Sequence, residues 1–161
     1  MSLPAPSPAG WCKKRGWFLV TTRAPLFAFS GPDVVRVVDA LAKSYPIDTK
    51  RVFLVGHSMG AAQAVSAAGR NPGRFAGIAA LGGGGGFRES DGLKKVPFYV
   101  GVGDKDFALG TAKALHAALG RAGVEKAVFE TIENVEHLLV VQVALPKVFA
   151  FFDAAIPPNK D

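Results

Sequence analysis

Residues 56–60 of this 161-residue chain read Gly-His-Ser-Met-Gly. One hydroxyl, that of Ser58, stands between two glycines, after an apolar run (Val52-Phe53-Leu54-Val55) and before an alanine-rich one. A serine hydroxyl becomes a useful nucleophile only when a base removes its proton as it attacks. The chain holds three histidines, His57, His116 and His137, and places two carboxylates, Asp104 and Asp106, close together in Gly-Val-Gly-Asp-Lys-Asp (101–106). A hydroxyl, an imidazole and a carboxylate are the residue types that carry acyl transfer through a covalent acyl-serine.

Those side chains act together only if the intervening chain returns them to one place. Its pattern alternates. Residues 16–22, 51–56, 75–83, 96–103 and 126–133 are short apolar runs that predict strands. Residues 31–46, 59–70 and 109–123 carry apolar or small residues at helical spacing, and 138–155 predicts a final helix kinked or interrupted at Pro146. Strand–helix alternation of this kind predicts parallel strands joined by crossover helices, with both faces of the sheet covered.

In that frame Ser58 falls in a sharp turn between a strand and a helix. Its hydroxyl then projects at the carboxyl end of the sheet, where the helix N-terminus favours developing negative charge. Glycines at 56 and 60 are expected because side chains there would strike the adjoining strand and helix. His57 adjoins the nucleophile, so its ring points elsewhere and reads as a packing or elbow-stabilising residue. His116 lies within the 109–123 helix and reads as a surface or satisfied helix histidine. His137 follows the last strand, again at the carboxyl edge, and is the expected base. Asp104 and Asp106 both follow the fourth strand. Either can orient the base, and either can cap the next helix or shape the turn.

Taken together, Gly56-His57-Ser58-Met59-Gly60, the aspartate loop and His137 keep the order Ser…Asp…His and resemble the α/β-hydrolase fold. Residues 45–61, YPIDTKRVFLVGHSMGA, are similar to the esterase branch that includes dienelactone hydrolases, polyhydroxybutyrate-depolymerase-like esterases and acyl-peptidase-like enzymes. The likeness spans about residues 12–153. It implies an α/β fold with a mostly parallel sheet of about five strands and helices on both faces. The branch commonly ends a Gly-x-x-Asp turn on its acid. Gly103-Asp104-Lys105-Asp106 fits that turn, which favours Asp106; Gly101–Asp104 fits less closely. The resemblance implies a carboxylic-ester hydrolase with Ser58 as nucleophile, His137 as base and Asp106 as orienting acid. The backbone N–H of Met59 is one oxyanion donor, and no metal or organic cofactor is needed. The front of the chain departs from the family: several leading strands and the His-Gly loop that supplies the second oxyanion donor have no counterpart. The interval from Ser58 to Asp106 leaves no room for a lid domain.

Composition sets the outer bounds. Apolar residues make up 49% and charged residues 20%, as in a globular domain. The net charge of +6 is spread as short runs, Lys13-Lys14-Arg15 and Lys94-Lys95, without the aromatic interleaving of a nucleic-acid surface. The glycine run 82–86 lacks the Lys-Ser/Thr that follows in a phosphate-cradling loop. No run is long enough for a membrane span, and the first ten residues do not read as a signal peptide. The expectations are therefore a flexible leader over 1–10, a single domain over 11–161, a small-molecule ester as partner, no nucleic acid, and a cytoplasmic location by default. An exposed apolar edge strand at 17–22 would favour self-association. The rival readings are a peptidase or thioesterase using the same three residues, or a truncated, non-catalytic hydrolase-like binding domain.

Overall fold

A computed structural model describes residues 7–21 and 33–155. The chain separates into two compact units, Met1–Pro32 and Asp33–Asp161. In the first, helix α1 (Pro8–Lys14) starts inside the stretch read as leader. Ser7 caps it by accepting the Gly10 N–H at 3.3 Å, and proline occupies its first turn, where no N–H is required. Arg15 lies over the Trp11 and Trp17 rings, 5.2 and 5.8 Å from their centroids. The predicted strand at 16–22 is not formed: residues 17–21 enter no ladder, and residue 22 lies outside the described residues. A strand exists only where its N–H and C=O groups meet a neighbour. Here the Trp17 N–H instead closes α1 on the Cys12 carbonyl at 2.9 Å. Phe18, Leu19 and Val20 are exposed in an irregular segment. The edge-strand argument for self-association through this segment therefore loses its premise.

The second unit carries a four-stranded, all-parallel sheet in the order β1 (Phe53–His57), β2 (Gly77–Leu81), β3 (Phe98–Gly103), β4 (Ala127–Ile132). The described residues thus hold four strands rather than the expected five. Helices α2 (Val34–Ala42), α3 (Met59–Arg70), α5 (Leu109–Arg121) and α6 (Val140–Ala155) fall where periodicity predicts them. A further single turn, α4 (Asp91–Lys94), is capped by Ser90, whose hydroxyl accepts the Leu93 N–H.

The continuous apolar character of the central strands has a direct cause. Every residue of β2 and β3 is buried. On one face Ile78, Ala80, Phe98, Val100 and Val102 pack with Ala61, Val65 and Ala68 of α3 and Leu115 and Leu119 of α5. The opposite face receives α6. Phe152 stacks on Phe53 at 4.5 Å, and it approaches Gly77 so closely that a Cβ there would stand 3.2 Å from the ring. On the same side the buried Tyr99 hydroxyl donates to Glu130, which also receives Lys147 of α6. Burial and the Glu130 carboxylate hold the Tyr99 phenol protonated, well above its usual range. Pro146 sits inside α6 without interrupting it. The carbonyl it deprives of a donor belongs to Gln142, an exposed residue whose oxygen water can serve.

Phe152 joins α6 to two strands and is almost fully buried. Phe152→Ala is expected to cost about 3–5 kcal/mol, whereas Val143→Ala, on the exposed side of the same helix, should stay within about 0.5 kcal/mol. Urea unfolding followed by circular dichroism checks both; equal losses would contradict this account of α6 packing.

Candidate active site

Strand β1 ends at His57 and α3 begins at Met59, so a single residue, Ser58, makes the reversal. Its backbone lies at φ 55°, ψ −118°, a region that side-chain-bearing residues rarely occupy. The Ser58 N–H is fixed by the Leu81 carbonyl at 2.9 Å, and the Ser58 carbonyl accepts the Ala61 N–H at 3.0 Å. Although Ser58 occupies the N-cap position, its hydroxyl makes no capping bond to the helix. That leaves the oxygen available for chemistry at the positive end of α3.

The two glycines of the motif turn out to be unequal. A Cβ on Gly56 would collide with the Gly60 carbonyl, so position 56 admits glycine only. A Cβ on Gly60 would meet nothing within 4 Å, and the expectation of a clash there is not met. The close approach runs one way: Gly60 contributes the carbonyl that Gly56 must leave room for.

The three side chains expected to act together are adjacent. His137 Nε2 lies 2.9 Å from Ser58 Oγ, and His137 Nδ1 lies 2.9 Å from Asp106 Oδ1. Asp106 is 4% exposed, whereas Asp104 is exposed and makes no side-chain contact with His137. The Asp106 carboxylate also accepts the Ala108 N–H at 2.8 Å, so it shapes the start of α5 as well. Its second oxygen, Oδ2, is buried without a protein donor. His116 is remote from this cluster; its ring N–H donates to the Ala127 carbonyl at 3.2 Å and packs on Phe129. Met59 follows Ser58 as the first residue of α3, where backbone N–H groups lack an intrahelical acceptor.

Four other residues complete the arrangement. Gly103 lets the histidine-bearing loop cross β3, because a Cβ there would collide with the Val135 carbonyl. Gly82, at φ +55°, leaves space beside Asp106 Oδ2 and His57 Nε2. The Phe107 ring lies on His137 with centroids 4.2 Å apart. His57 sends its Nε2–H to the backbone carbonyl of His137 at 2.9 Å. A cavity of about 340 Å3 opens beside Ser58, walled by the glycines 82–85, Phe107, Ala108 and Thr111. Of the loop 21–30, which precedes α2 and could supply a second oxyanion donor, residues 22–30 lie outside the described residues. Among the described residues there is no cluster of three or more His, Cys, Asp or Glu side chains able to hold a metal ion, and no helix is long and apolar enough to cross a membrane.

Comparison with known proteins defines the fold. The prolyl oligopeptidase family (Peptidase_S9) matches residues 30–98, the part that contains the elbow. No curated protein sequence matches the chain. Among solved structures, SOBER1 from Arabidopsis thaliana is similar with a TM-score of 0.66 at 20% identity, covering 78% of this chain and 62% of that protein. A carboxylesterase from Bacillus cereus is similar with a TM-score of 0.64 at 20% identity, over 76% and 58% of the two chains. S-formylglutathione hydrolase from Staphylococcus aureus gives 0.60 at 19% identity, over 74% and 58%. The chain has the α/β-hydrolase fold. It spans less than two thirds of the length of each of these three proteins.

The inequality of the two motif glycines is directly testable. Gly56→Ala should cost about 1–3 kcal/mol through forced backbone displacement. Gly60→Ala, in the first turn of α3, should be neutral or stabilising by up to about 1 kcal/mol. Thermal unfolding of the two variants checks this; a Gly60→Ala variant as damaged as Gly56→Ala would contradict the elbow geometry.

Proposed function

We propose that the chain is a serine hydrolase that cleaves carboxylic esters through an acyl-enzyme. The observation that carries the reading is the unbroken pair of 2.9 Å contacts from Ser58 Oγ to His137 and from His137 to Asp106. In this reading Ser58 attacks the acyl carbon while His137 Nε2 takes its proton. Nδ1–H of His137 donates to Asp106, which keeps the ring in the tautomer that presents a bare Nε2 to the serine and stabilises the imidazolium once formed. The imidazolium then returns its proton to the departing alcohol. Water, deprotonated by the same nitrogen, releases the acid from Ser58. The Met59 N–H donates to the oxyanion, aided by the N-terminus of α3. Small-molecule esters fit the cavity beside Ser58, whose walls are short or apolar. The same residues serve a peptidase equally well, and the prolyl oligopeptidase family match over 30–98 favours that as the second reading. A panel of matched ester and amide substrates separates the two.

A fluorophosphonate reacts only with an activated serine. Wild-type chain should be labelled and Ser58→Ala should not, since the change removes a hydroxyl and little volume. Persistent labelling of the variant would place the nucleophile elsewhere. Asp106→Asn should lower ester turnover by about 10⁴, the scale set when such a carboxylate is lost from a serine protease. Asp104→Asn should leave turnover close to wild type, and the reverse order would overturn the assignment of the acid.

A further inference from the structure

We infer that His57 is a positioning residue that sets the distance between nucleophile and base through the backbone of His137. This inference rests on the proposed hydrolase reading. The loop carrying His137 runs from the end of β4 to α6 and contains Asn134 in the left-handed conformation. Backbone bonds tie the β4 end of this loop to the acid-bearing loop: the Asp104 N–H donates to the Ile132 carbonyl at 3.0 Å and the Lys105 N–H to the Val135 carbonyl at 3.3 Å. Both donors belong to the segment that ends in Asp106. These bonds hold base and acid together as one body and say nothing to Ser58.

The bond from His57 is different in kind. A carbonyl only accepts, so the proton lies on His57 Nε2, and it is given to the carbonyl of His137 itself at 2.9 Å. His57 is the residue immediately before Ser58 and the last residue of β1, a strand at one end of the sheet order whose position is set by its parallel ladder to β2. The bond therefore links the nucleophile elbow to the backbone of the base across 80 residues of chain. The two imidazole rings pack with centroids 4.6 Å apart, which limits rotation of His137 as well. Gly82 makes room for this contact: a methyl group there would stand 3.0 Å from both His57 Nε2 and Asp106 Oδ2. Without the donor at 57, the acid–base pair keeps its own bonds and loses its registration on Ser58. A displacement of about 1 Å between reacting groups costs on the order of 10² in rate.

The test compares His57→Gln with His57→Met. Glutamine reaches the same point with an amide N–H; methionine matches its length and fills the space with no donor. His57→Met should lower kcat for an activated ester, and the fluorophosphonate labelling rate, by about 10², with KM unchanged and the unfolding midpoint near that of His57→Gln. His57→Gln should recover most of the lost rate. The low-field proton resonance of the His137 Nδ1–H should persist in both, because the bond to Asp106 does not depend on His57. Equal rates for the two variants, whether both fast or both slow, would overturn the inference. So would loss of the Nδ1–H resonance in His57→Met. If His57→Met fails to fold, His57→Phe is the non-donor in the same comparison. Failure of the parent reading would look different: the wild-type chain would not be labelled at Ser58 at all.

Discussion

Everything at the candidate site follows from one backbone constraint, the positive-φ conformation of Ser58. A non-glycine residue held there costs on the order of 1–3 kcal/mol, and it persists only where the surroundings over-determine it. Here the determinants are identifiable. Leu54 of β1 packs against the same core that holds Ala61, Ala64 and Val65 of α3, so the strand end and the helix start are held on both sides of the turn. Gly56 permits the Gly60 carbonyl to close over it, and the Leu81 carbonyl holds the Ser58 N–H. The reversal that satisfies those contacts leaves the serine hydroxyl outside the helix cap, free to meet an imidazole.

The parallel sheet supplies the rest. Because all four strands run the same way, the loops after β1, β2, β3 and β4 emerge at one edge. Each then contributes one element: Ser58, the glycine run that walls the cavity, Asp106 and His137. Glycine at 103 and at 82 lets these loops approach more closely than side chains would allow. The core that makes this possible lies in the faces of β2 and β3, where α3 and α5 cover one side and α6 the other. Burial of Asp106 completes the polar arrangement. One oxygen serves both His137 and the start of α5, so the same carboxylate orients the base and anchors the helix that follows.

Much of this was legible in the sequence, for physical reasons that differ by element. Continuous apolar runs bounded by glycine and proline marked the central strands β2 and β3, since strands buried on both faces admit little else. The elbow was legible because strand, Gly-x-Ser-x-Gly and helix occur in immediate succession. The segment 16–22 misled because composition describes a side chain's preference, whereas a strand also needs a partner for its backbone. The unequal glycines were invisible because the sequence does not say which way a carbonyl will lean. The contact of His57 was half legible. Strand alternation puts His57 on the same face as Phe53, the face that packs on α6, and His137 lies three residues before the first residue of α6. What the pattern does not give is the length of the loop's detour, and hence that His57 meets the carbonyl of His137 and not its ring nitrogen.

The central claim is that Ser58 becomes covalently acylated during turnover. Acid-quenching the wild-type chain within milliseconds of mixing with p-nitrophenyl acetate, followed by peptide mapping in a mass spectrometer, tests it directly. The account predicts an acetyl group on the peptide containing Ser58, appearing with the nitrophenol burst and lost as acetate is released. Nitrophenol release with no adduct on that peptide, or with the acetyl group on another residue, would contradict it.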